Sequence, residues 1–583
     1  MTEREIKSSK SGRHVNAKVK SGCRTCKIRK VKCDESFPVC RRCLSTGRVC
    51  DGYGVWGGGG NHYWHRQSID SPRGLLDPPQ LARISTLVGS TDEMASFDWF
   101  RGRTIAKLPG SYRSDLWTKI LLQLSHSEQA VWHAILALSS THRVGFVDIS
   151  SDPANKLEQS TLHHSIKAVH HLRPHFSARD KTSSRVVLIV CLMFIVLDLL
   201  RGHFASAQVH LRNGLSILTE TQSVYDDKKC NPDHSFLPSN GSIDDSIGEV
   251  FFRLHTQVQF LQNMHRPRPC LLPPPLYPPL EEFPSTPQYS SYLAVWRGLD
   301  LIMNDIFRLS ADAREHPTHV ETLSTHQERI KKGLKTWLTT YNASLPTLQL
   351  STFPAIAEAR AKVHHIVLSY HTMLSIMTQT TIHPNETVFD NYTHHFTKLI
   401  HSLSETWNLS AQDIFYPSSQ SSSTGPKRRW IGGCDMAHTI IDSGWMIPLF
   451  YVAIKCRHRS IRRQAIQLLE STNHREGIWD AKITACIGRR VMELEEGDFY
   501  DGLDDVDSTA ILEMGCGSDK GGDSASMCSL ELDPILPESS RIRDLEVRME
   551  GNPLETVLLF GGWEGMAARV CIGEYHVPEQ RWV

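Results

Sequence analysis

Six of the chain's 15 cysteines lie between positions 23 and 50, in the order Cys23, Cys26, Cys33, Cys40, Cys43 and Cys50. Their spacing, C-x2-C-x6-C-x6-C-x2-C-x6-C, repeats one three-cysteine pattern twice. Thiols at this density can form disulfides, a redox dithiol or a metal cluster. The first 20 residues contain no apolar stretch of the kind that a secretory signal needs. We therefore expect a reducing compartment, where disulfides are disfavoured.

The number of ligands in the repeat favours two zinc ions. Zinc takes four ligands in tetrahedral geometry, so six thiolates satisfy two ions if two of the thiolates bridge both metals. A single ion would leave two thiols without a metal. The segment has few sizeable apolar residues, so zinc must supply most of its folding free energy, on the order of ~10 to 16 kcal/mol in finger peptides.

Positive charge is concentrated around the same cysteines. Residues 1–52 contain 14 Lys and Arg against five acidic residues, a net charge of +9 within a chain whose total is only +1. The other 531 residues therefore carry about −8. This distribution indicates a polyanionic partner for the amino-terminal end alone.

The cysteine spacing resembles that of the fungal Zn2Cys6 binuclear-cluster DNA-binding domain, and the match runs from Cys23 to Cys50 without insertion or deletion. The resemblance implies two zinc ions held by the six cysteines, with Cys23 and Cys40 as the bridging pair. It also implies a helix in the major groove of double-stranded DNA, and a CGG-type triplet as its target. Lys30 matches the position that contacts base edges, and Arg29 matches its neighbour, where base and phosphate contact stay open.

The residues between the first ligands read CKIRKVKC and predict a short helix between Cys26 and Cys33. Such a helix places Ile28 and Val31 on an inner face, and Lys27 and Lys30 on an outer one. A cation facing a groove wall meets phosphate far more often than a base edge. The predicted phosphate contacts are Lys27, Lys32, Arg24, Arg41, Arg42 and Arg48.

Helical periodicity dominates from about residue 81. The pattern at 114–143 predicts two helices joined near residues 125–127, and the apolar run 186–200 predicts a buried helix that turns at Gly202 into another helix. That run is too short to span a bilayer and contains Asp198, so no membrane partner is expected. Residues 81–494 resemble the helical regulatory domain of fungal transcription factors. The predicted fold class is mostly α, with a small zinc module tethered to a large all-α body.

The composition divides the chain into six parts. The predicted divisions begin with a basic, disordered arm (1–20), the zinc module (21–52) and a Gly/Pro-rich linker (53–80). The helical domain (81–494) follows, with a Pro-rich loop at 266–287 and a Ser-rich loop at 418–429. The last two parts are an acidic segment (495–540), predicted to be disordered, and a C-terminal segment (541–583). In the acidic segment, an activation region and an inert loop stay open. The C-terminal segment alternates around Gly551, which predicts a small hairpin.

The sequence favours a regulator over an enzyme. It contains no H-E-x-x-H, G-x-S-x-G or Walker A motif, and its histidines, including the pairs at 163–164 and 170–171, have no ligand-spaced partners. The hypothesis is a nuclear, zinc-dependent, sequence-specific DNA-binding regulator of RNA polymerase II transcription, with co-regulators or the transcription machinery as partners. The alternatives are a metabolite-binding or catalytic body that carries a zinc module, and a zinc or redox sensor. No heptad series follows the cysteines, so it stays open whether the protein dimerises. Whether a small-molecule effector binds the helical domain also stays open.

Overall fold

A computed structural model of the chain describes residues 25–26, 29–34, 40–46, 89–105, 108, 116–145, 151–178, 180–226, 243–262, 287–349, 354–407, 439–500, 534–566 and 568–583. Helices dominate these residues, which confirms the mostly α fold class. The predicted arm (1–20), the linker (53–80), the Ser-rich loop (418–429) and all but the last residue of the Pro-rich loop (266–287) lie outside the described residues.

The first helix, α1 (Arg41–Leu44), belongs to the cysteine-rich segment. The helices described after it are α2 (Thr91–Trp99), α3 (Leu121–Ser127), α4 (Gln129–Val144), α5 (Asp152–Ser177), α6 (Lys181–Arg201), α7 (Phe204–Asp226), α8 (Ile243–Gln262), α9 (Tyr292–Glu315), α10 (Val320–Gln349), α11 (Pro354–Thr380), α12 (Thr393–Trp407), α13 (Met446–Lys455), α14 (Arg459–Glu470) and α15 (Ala481–Glu496). Two π-helical turns, Phe100–Thr104 and Leu116–Ile120, and a 3-10 turn, Glu386–Tyr392, extend helices of this series.

Side-chain caps fix where several of these helices begin. At α2, the Ser90 hydroxyl accepts a hydrogen bond from Glu93 N at 3.3 Å, while the Glu93 carboxylate accepts one from Ser90 N at 2.9 Å. At α6, the Asp180 carboxylate accepts hydrogen bonds from Thr182 N and Ser183 N, both at 2.9 Å. These bonds satisfy backbone donors that have no partner inside the helix.

The predicted pair of helices at 114–143 is confirmed as α3 and α4. The chain leaves helical geometry at Glu128, whose φ of −116° and ψ of 108° are extended. Helix α4 is buried along nearly its whole length, which places it at the centre of the amino-terminal half of the body.

Helix α6 is the predicted buried apolar helix. It is long and apolar enough to cross a membrane by length and composition, but most of its side chains are buried inside the protein. It packs against α4, α5, α7 and α8. The burial of its apolar side chains by other helices identifies α6 as a core element of the body.

Gly202 ends α6 and allows the turn into α7, as the sequence predicts. Its φ of +76° lies in the left-handed region, which a glycine adopts without steric cost. The Gly202 carbonyl also accepts a hydrogen bond from Leu554 N at 2.9 Å, which joins this turn to the C-terminal part of the chain.

The C-terminal part forms a sheet that is larger than the predicted hairpin. Four antiparallel strands follow one another in the order β4 (Arg543–Glu550), β5 (Thr556–Gly562), β6 (Val570–His576) and β7 (Arg581–Trp582). Strands β4 and β5 turn at Gly551, as expected, and bury Leu545, Val547, Val557 and Leu559 on one face. Strand β4 packs on α7 and α8, which joins this C-terminal sheet to the helical body.

A second, three-stranded sheet joins the last helices. It contains β1 (Thr439–Ile440), β2 (Arg475–Glu476) and β3 (Trp479–Asp480), with β1 parallel and β3 antiparallel to β2. The buried Glu476 carboxylate accepts hydrogen bonds from Gly444 N at 2.7 Å and Trp445 N at 2.8 Å, at the start of α13. These two-residue strands are too short to produce a periodic sequence pattern.

The two ends of the predicted acidic segment (495–540) belong to the folded body, which corrects that boundary. Glu495 and Glu496 are the last residues of α15 and are buried. Near the other end, Leu536 is buried, and the Glu538 carboxylate accepts hydrogen bonds from the backbone of the 3-10 turn at 386–387. Residues 501–533 lie outside the described residues.

A buried charge network holds this C-terminal chain against the helices. The Glu495 carboxylate, which is fully buried, pairs with Arg462 and lies 2.8 Å from Arg457 Nη2. It also accepts a hydrogen bond from Ile542 N at 2.8 Å. Burial alone would raise the pKa of Glu495, but the charges of Arg457 and Arg462 lower it to about 2.

We predict that Glu495→Ala destabilises the protein by about 3 to 5 kcal/mol, because it removes the carboxylate that two buried guanidinium groups share. Among the described residues, Arg457 would keep only Glu386 and Arg462 only Glu496 as charged partners.

The matched control is Glu493→Ala on the same helix, which removes a half-exposed carboxylate 3.9 Å from Arg490. Such a surface pair contributes about 0 to 1 kcal/mol. Chemical denaturation of the intact chain measures both, and equal losses for the two variants would contradict the network.

The same carboxylate makes stability dependent on acid. Its pKa is about 2 in the folded chain against 4.5 in the unfolded chain, so its contribution is fully present above pH 4.5. The contribution is lost as the pH falls toward 2, because the unfolded chain then binds the proton first. We expect the difference in unfolding free energy between the chain and Glu495→Gln to shrink over this range. A difference that is the same at pH 6 and pH 3 would count against this.

Candidate metal centre and nucleic-acid interface

Four of the six predicted ligands lie within the described residues, and the fold brings them together. Cys26, Cys33, Cys40 and Cys43 are all buried and form a cluster against which Val31 packs. The remaining predicted ligands, Cys23 and Cys50, lie outside the described residues. A small segment that buries four cysteines in place of a conventional apolar core is typical of a metal-centred module.

The distances between the sulfur atoms fit a zinc site. Cys26 Sγ lies 3.6 Å from Cys40 Sγ and 3.8 Å from Cys43 Sγ, and the Sγ atoms of Cys26, Cys33 and Cys40 all lie within 4.8 Å of one another. Zinc–sulfur bonds of ~2.3 Å in tetrahedral geometry place two sulfurs about 3.8 Å apart. No disulfide joins the cysteines that the structure describes.

The backbone of the first half ends its helical turn at Lys30. Arg29 N donates to Thr25 O and Val31 N donates to Cys26 O, each at 3.1 Å, and Lys30 has a φ of +55°. This is the pattern of a helix that stops at a left-handed residue, a position that glycine usually occupies. The predicted helix therefore ends before Cys33. Val31 faces the cysteines as predicted, whereas Lys27 and Ile28 lie outside the described residues.

Asp34 joins the two halves of the module. Its carboxylate accepts hydrogen bonds from Arg41 N and Arg42 N, both at 3.0 Å, at the start of α1. Cys40 caps the same helix through its sulfur, which accepts from Cys43 N at 3.2 Å. This role of Asp34 was not predicted, although an acidic residue directly after a ligand within a basic segment is a signal in the sequence.

The predicted DNA contacts that the structure describes lie on the outside of this module. Lys30, Lys32, Arg41 and Arg42 are exposed. Arg29 is half-buried, and its Nη1 donates to Thr46 Oγ1 at 3.2 Å, which makes it a brace between the two halves as well as a cation. The other predicted contacts, Arg24, Lys27 and Arg48, lie outside the described residues. The described cations therefore lie on the solvent-exposed surface of the module, outside the buried thiols.

In the helical body, a cavity is lined by charged and polar groups that include Arg253, Asp300, Tyr370 and Ser443. Its volume of about 10 Å³ admits a single water molecule. Burial raises the pKa of Asp300 to about 7, against the opposing charge of Arg253. A cavity of this size does not accommodate a metabolite, because ligand pockets measure roughly 300 to 1,000 Å³.

Fold and site together define a protein with a thiolate metal module followed by a large helical body. A family model described as the fungal specific transcription factor domain matches residues 103–487, and one described as the fungal Zn(2)-Cys(6) binuclear cluster domain matches residues 21–55. The chain belongs to the family of fungal Zn2Cys6 transcription regulators.

Curated relatives carry related names. The chain is 32% identical over 36% of its length to the aspercryptin biosynthesis cluster-specific transcription regulator atnN of Emericella nidulans, and 26% identical over 33% of its length to the transcription regulator lscL of Purpureocillium lilacinum. It is 29% identical over 27% of its length to the Zn(2)-C6 fungal-type transcription factor afumD of Aspergillus fumigatus. The chain spans between 36% and 48% of the length of these relatives. No solved structure matches the chain.

We predict that Cys26→Ser abolishes zinc binding by the module and unfolds it, because the metal provides the folding free energy of this segment. The helical body, with its own apolar core, should keep its unfolding transition. Cys571→Ser, which alters an exposed thiol in β6, is the matched control and should change neither property. Zinc content and thermal unfolding of the intact chain measure the effect. Full zinc content in Cys26→Ser would contradict the assignment.

Proposed function

We propose that this protein is a nuclear regulator of RNA polymerase II transcription that binds double-stranded DNA through a two-zinc cluster. The observation that carries the proposal is the arrangement of exposed cations, Lys30, Lys32, Arg41 and Arg42, around a buried set of thiols. Six thiolates at this spacing suit two ions. The resemblance to the Zn2Cys6 family implies that Cys23 and Cys40 are the shared ligands. The family's transcription-regulator names support a nuclear site of action and a non-enzymatic role.

The first half of the cluster is proposed to read sequence. Lys30 is exposed at the point where the helical turn ends, so its side chain is accessible to a bound duplex. Lysine bonded to guanine O6 and N7 is among the commonest specific contacts in the major groove, which supports a G-rich, CGG-type triplet. The second half has one cation between its last two ligands, Arg48, and is proposed to contact phosphate.

The other cations are proposed to contact phosphates. Lys32, Arg41 and Arg42 are exposed, and Lys27, Arg24 and Arg48 complete the set by sequence. The guanidinium of Arg29 already donates to Thr46. We propose that Arg29 supports the interface by bracing the two halves and contacts phosphate at most. Phosphate contacts set orientation and register without discriminating between sequences.

The helical body is proposed to control the output of the DNA-bound protein by contacting co-regulators or the transcription machinery. The name of the relative from Emericella nidulans ties that protein to one biosynthetic gene cluster. By analogy, we propose that the present chain regulates a dedicated biosynthetic gene set. Transcript profiling after deletion of the gene tests this, with a compact group of co-located genes as the expected response and an unchanged profile as the contrary one.

We predict that Lys30→Gly removes sequence discrimination while the cluster keeps its zinc. Glycine suits the left-handed φ of +55° at this position, so the backbone turn should persist or gain stability. Loss of one base contact weakens binding to the preferred triplet by about 1 to 3 kcal/mol and leaves binding to other sequences unchanged. Competition binding with CGG-containing and scrambled duplexes at fixed salt measures this.

Lys32→Ala is the matched comparison, since Lys32 is exposed two residues further on. It should weaken binding to all duplexes equally and reduce the slope of log affinity against log salt by about 0.9, the value for one phosphate contact. The unmodified chain should show a slope of about −5 to −7 if six to eight cations touch phosphates. Retained discrimination in Lys30→Gly, or affinity independent of salt, would defeat the proposal.

A further inference from the structure

A second group of metal-ligand side chains lies in the helical body, far along the chain from the cysteine module. Glu93 in the first turn of α2, His133 in the middle of α4 and His164 in the middle of α5 converge, with one ligand atom of each within 4.8 Å of the other two. His133 Nδ1 and His164 Nδ1 are 3.1 Å apart, and both side chains are buried. Three helices therefore bring two imidazoles and one carboxylate together at one point.

The separation of the two nitrogens matches a shared metal. Zinc–nitrogen bonds of ~2.0 to 2.1 Å in tetrahedral geometry place two ligand nitrogens about 3.3 Å apart. Burial lowers the pKa of both His133 and His164 to about 4, so both imidazoles are neutral near pH 7, the form that ligates metals. Burial alone would raise the pKa of Glu93, but the hydrogen bond from Ser90 N–H and the positive charge of Lys167 lower it.

The surroundings orient these donors. Ser90 N donates to one Glu93 oxygen at 2.9 Å, which fixes the carboxylate and leaves its second oxygen for another partner. The His171 ring stacks on His133 with centroids 5.5 Å apart, and the His163 ring meets His164 edge-on at 5.3 Å. A hydrogen bond such as that from Ser90 N commonly orients a carboxylate ligand around a metal.

We propose that Glu93, His133 and His164 form a third metal site, selective for Zn²⁺ or a similar borderline cation, with the fourth position taken by water or by an exchangeable donor. A His2Glu ligand set with an open position is an established zinc arrangement. The bound ion would join α2, α4 and α5, and would make the stability of the amino-terminal half of the body depend on zinc supply. The site is independent of the cysteine cluster in both residues and chemistry.

The competing arrangement is a direct hydrogen bond between the two neutral imidazoles, with no ion. Lys167 favours that alternative, because its ammonium group lies close enough to influence Glu93, His133 and His164 electrostatically. The same lysine provides a test. Removing its charge should strengthen cation binding if the site takes a metal, and should have no effect on metal content if it does not.

The test uses the intact chain with the cluster disabled by replacing all six of its predicted ligands with serine, at Cys23, Cys26, Cys33, Cys40, Cys43 and Cys50. After zinc loading and gel filtration, elemental analysis should find about one ion per chain, the number that a single three-ligand site holds. Adding Glu93→Gln and His164→Asn should remove that ion. His170→Asn, at an exposed position on the same helix as His164, is the matched control and should keep it. The proposal would be wrong if the cluster-disabled chain bound no zinc. It would also be wrong if the variant that lacks the Glu93 and His164 ligands held as much zinc as its control.

Two further measurements keep the proposal testable if a variant folds poorly. Cobalt substituted into the cluster-disabled chain should show ligand-field absorption without the intense thiolate charge-transfer bands, and thiolate bands would overturn the ligand assignment.

Lys167→Met should tighten zinc binding, measured by chelator competition, about three- to tenfold, as expected for one partly screened like charge. Lys156→Met, an exposed lysine on the same helix, should leave it unchanged. Equal affinities for the two lysine variants would contradict the proposal.

Discussion

Coordination of metal by thiolates is the constraint on which the amino-terminal module depends. Residues 25–46 bury four cysteines but offer few apolar side chains, so hydrophobic burial cannot stabilise the segment. The sulfurs lie at the separation that a tetrahedral ion imposes. Because the sulfurs are held in place, the exposed cations around them are held in place too. In the proposed function, removing the metal therefore removes the DNA-binding surface as well as a cofactor.

The helical body follows different physics. Its stability comes from a large apolar core, and among the described residues buried charges lie next to opposite charges, as in the network of Glu495 with Arg457 and Arg462. This network also fastens the C-terminal sheet to the helices through Ile542. Body and module thus have separate sources of stability, which is consistent with a recognition element attached to a regulatory domain.

The sequence predicts features that depend on local spacing and misses those that depend on distant contacts. The cysteine repeat, the helix that turns at Gly202 and the strand turn at Gly551 are all encoded within short segments. The left-handed Lys30 could not be predicted, because a lysine rarely takes a position that suits glycine. Nor could the meeting of His133 with His164, 31 residues away, because helix packing alone brings them together.

The central claim is that metal positions the cations that recognise DNA. The most direct measurement is the affinity of the intact, reduced chain for a CGG-containing duplex and a scrambled duplex, at one salt concentration, before and after zinc chelation. The account predicts at least about a tenfold preference for the CGG duplex in the zinc-loaded chain, as expected for one good base contact. It predicts no preference after chelation and recovery of the preference when zinc is restored. An unchanged preference in the chelated chain would contradict the account.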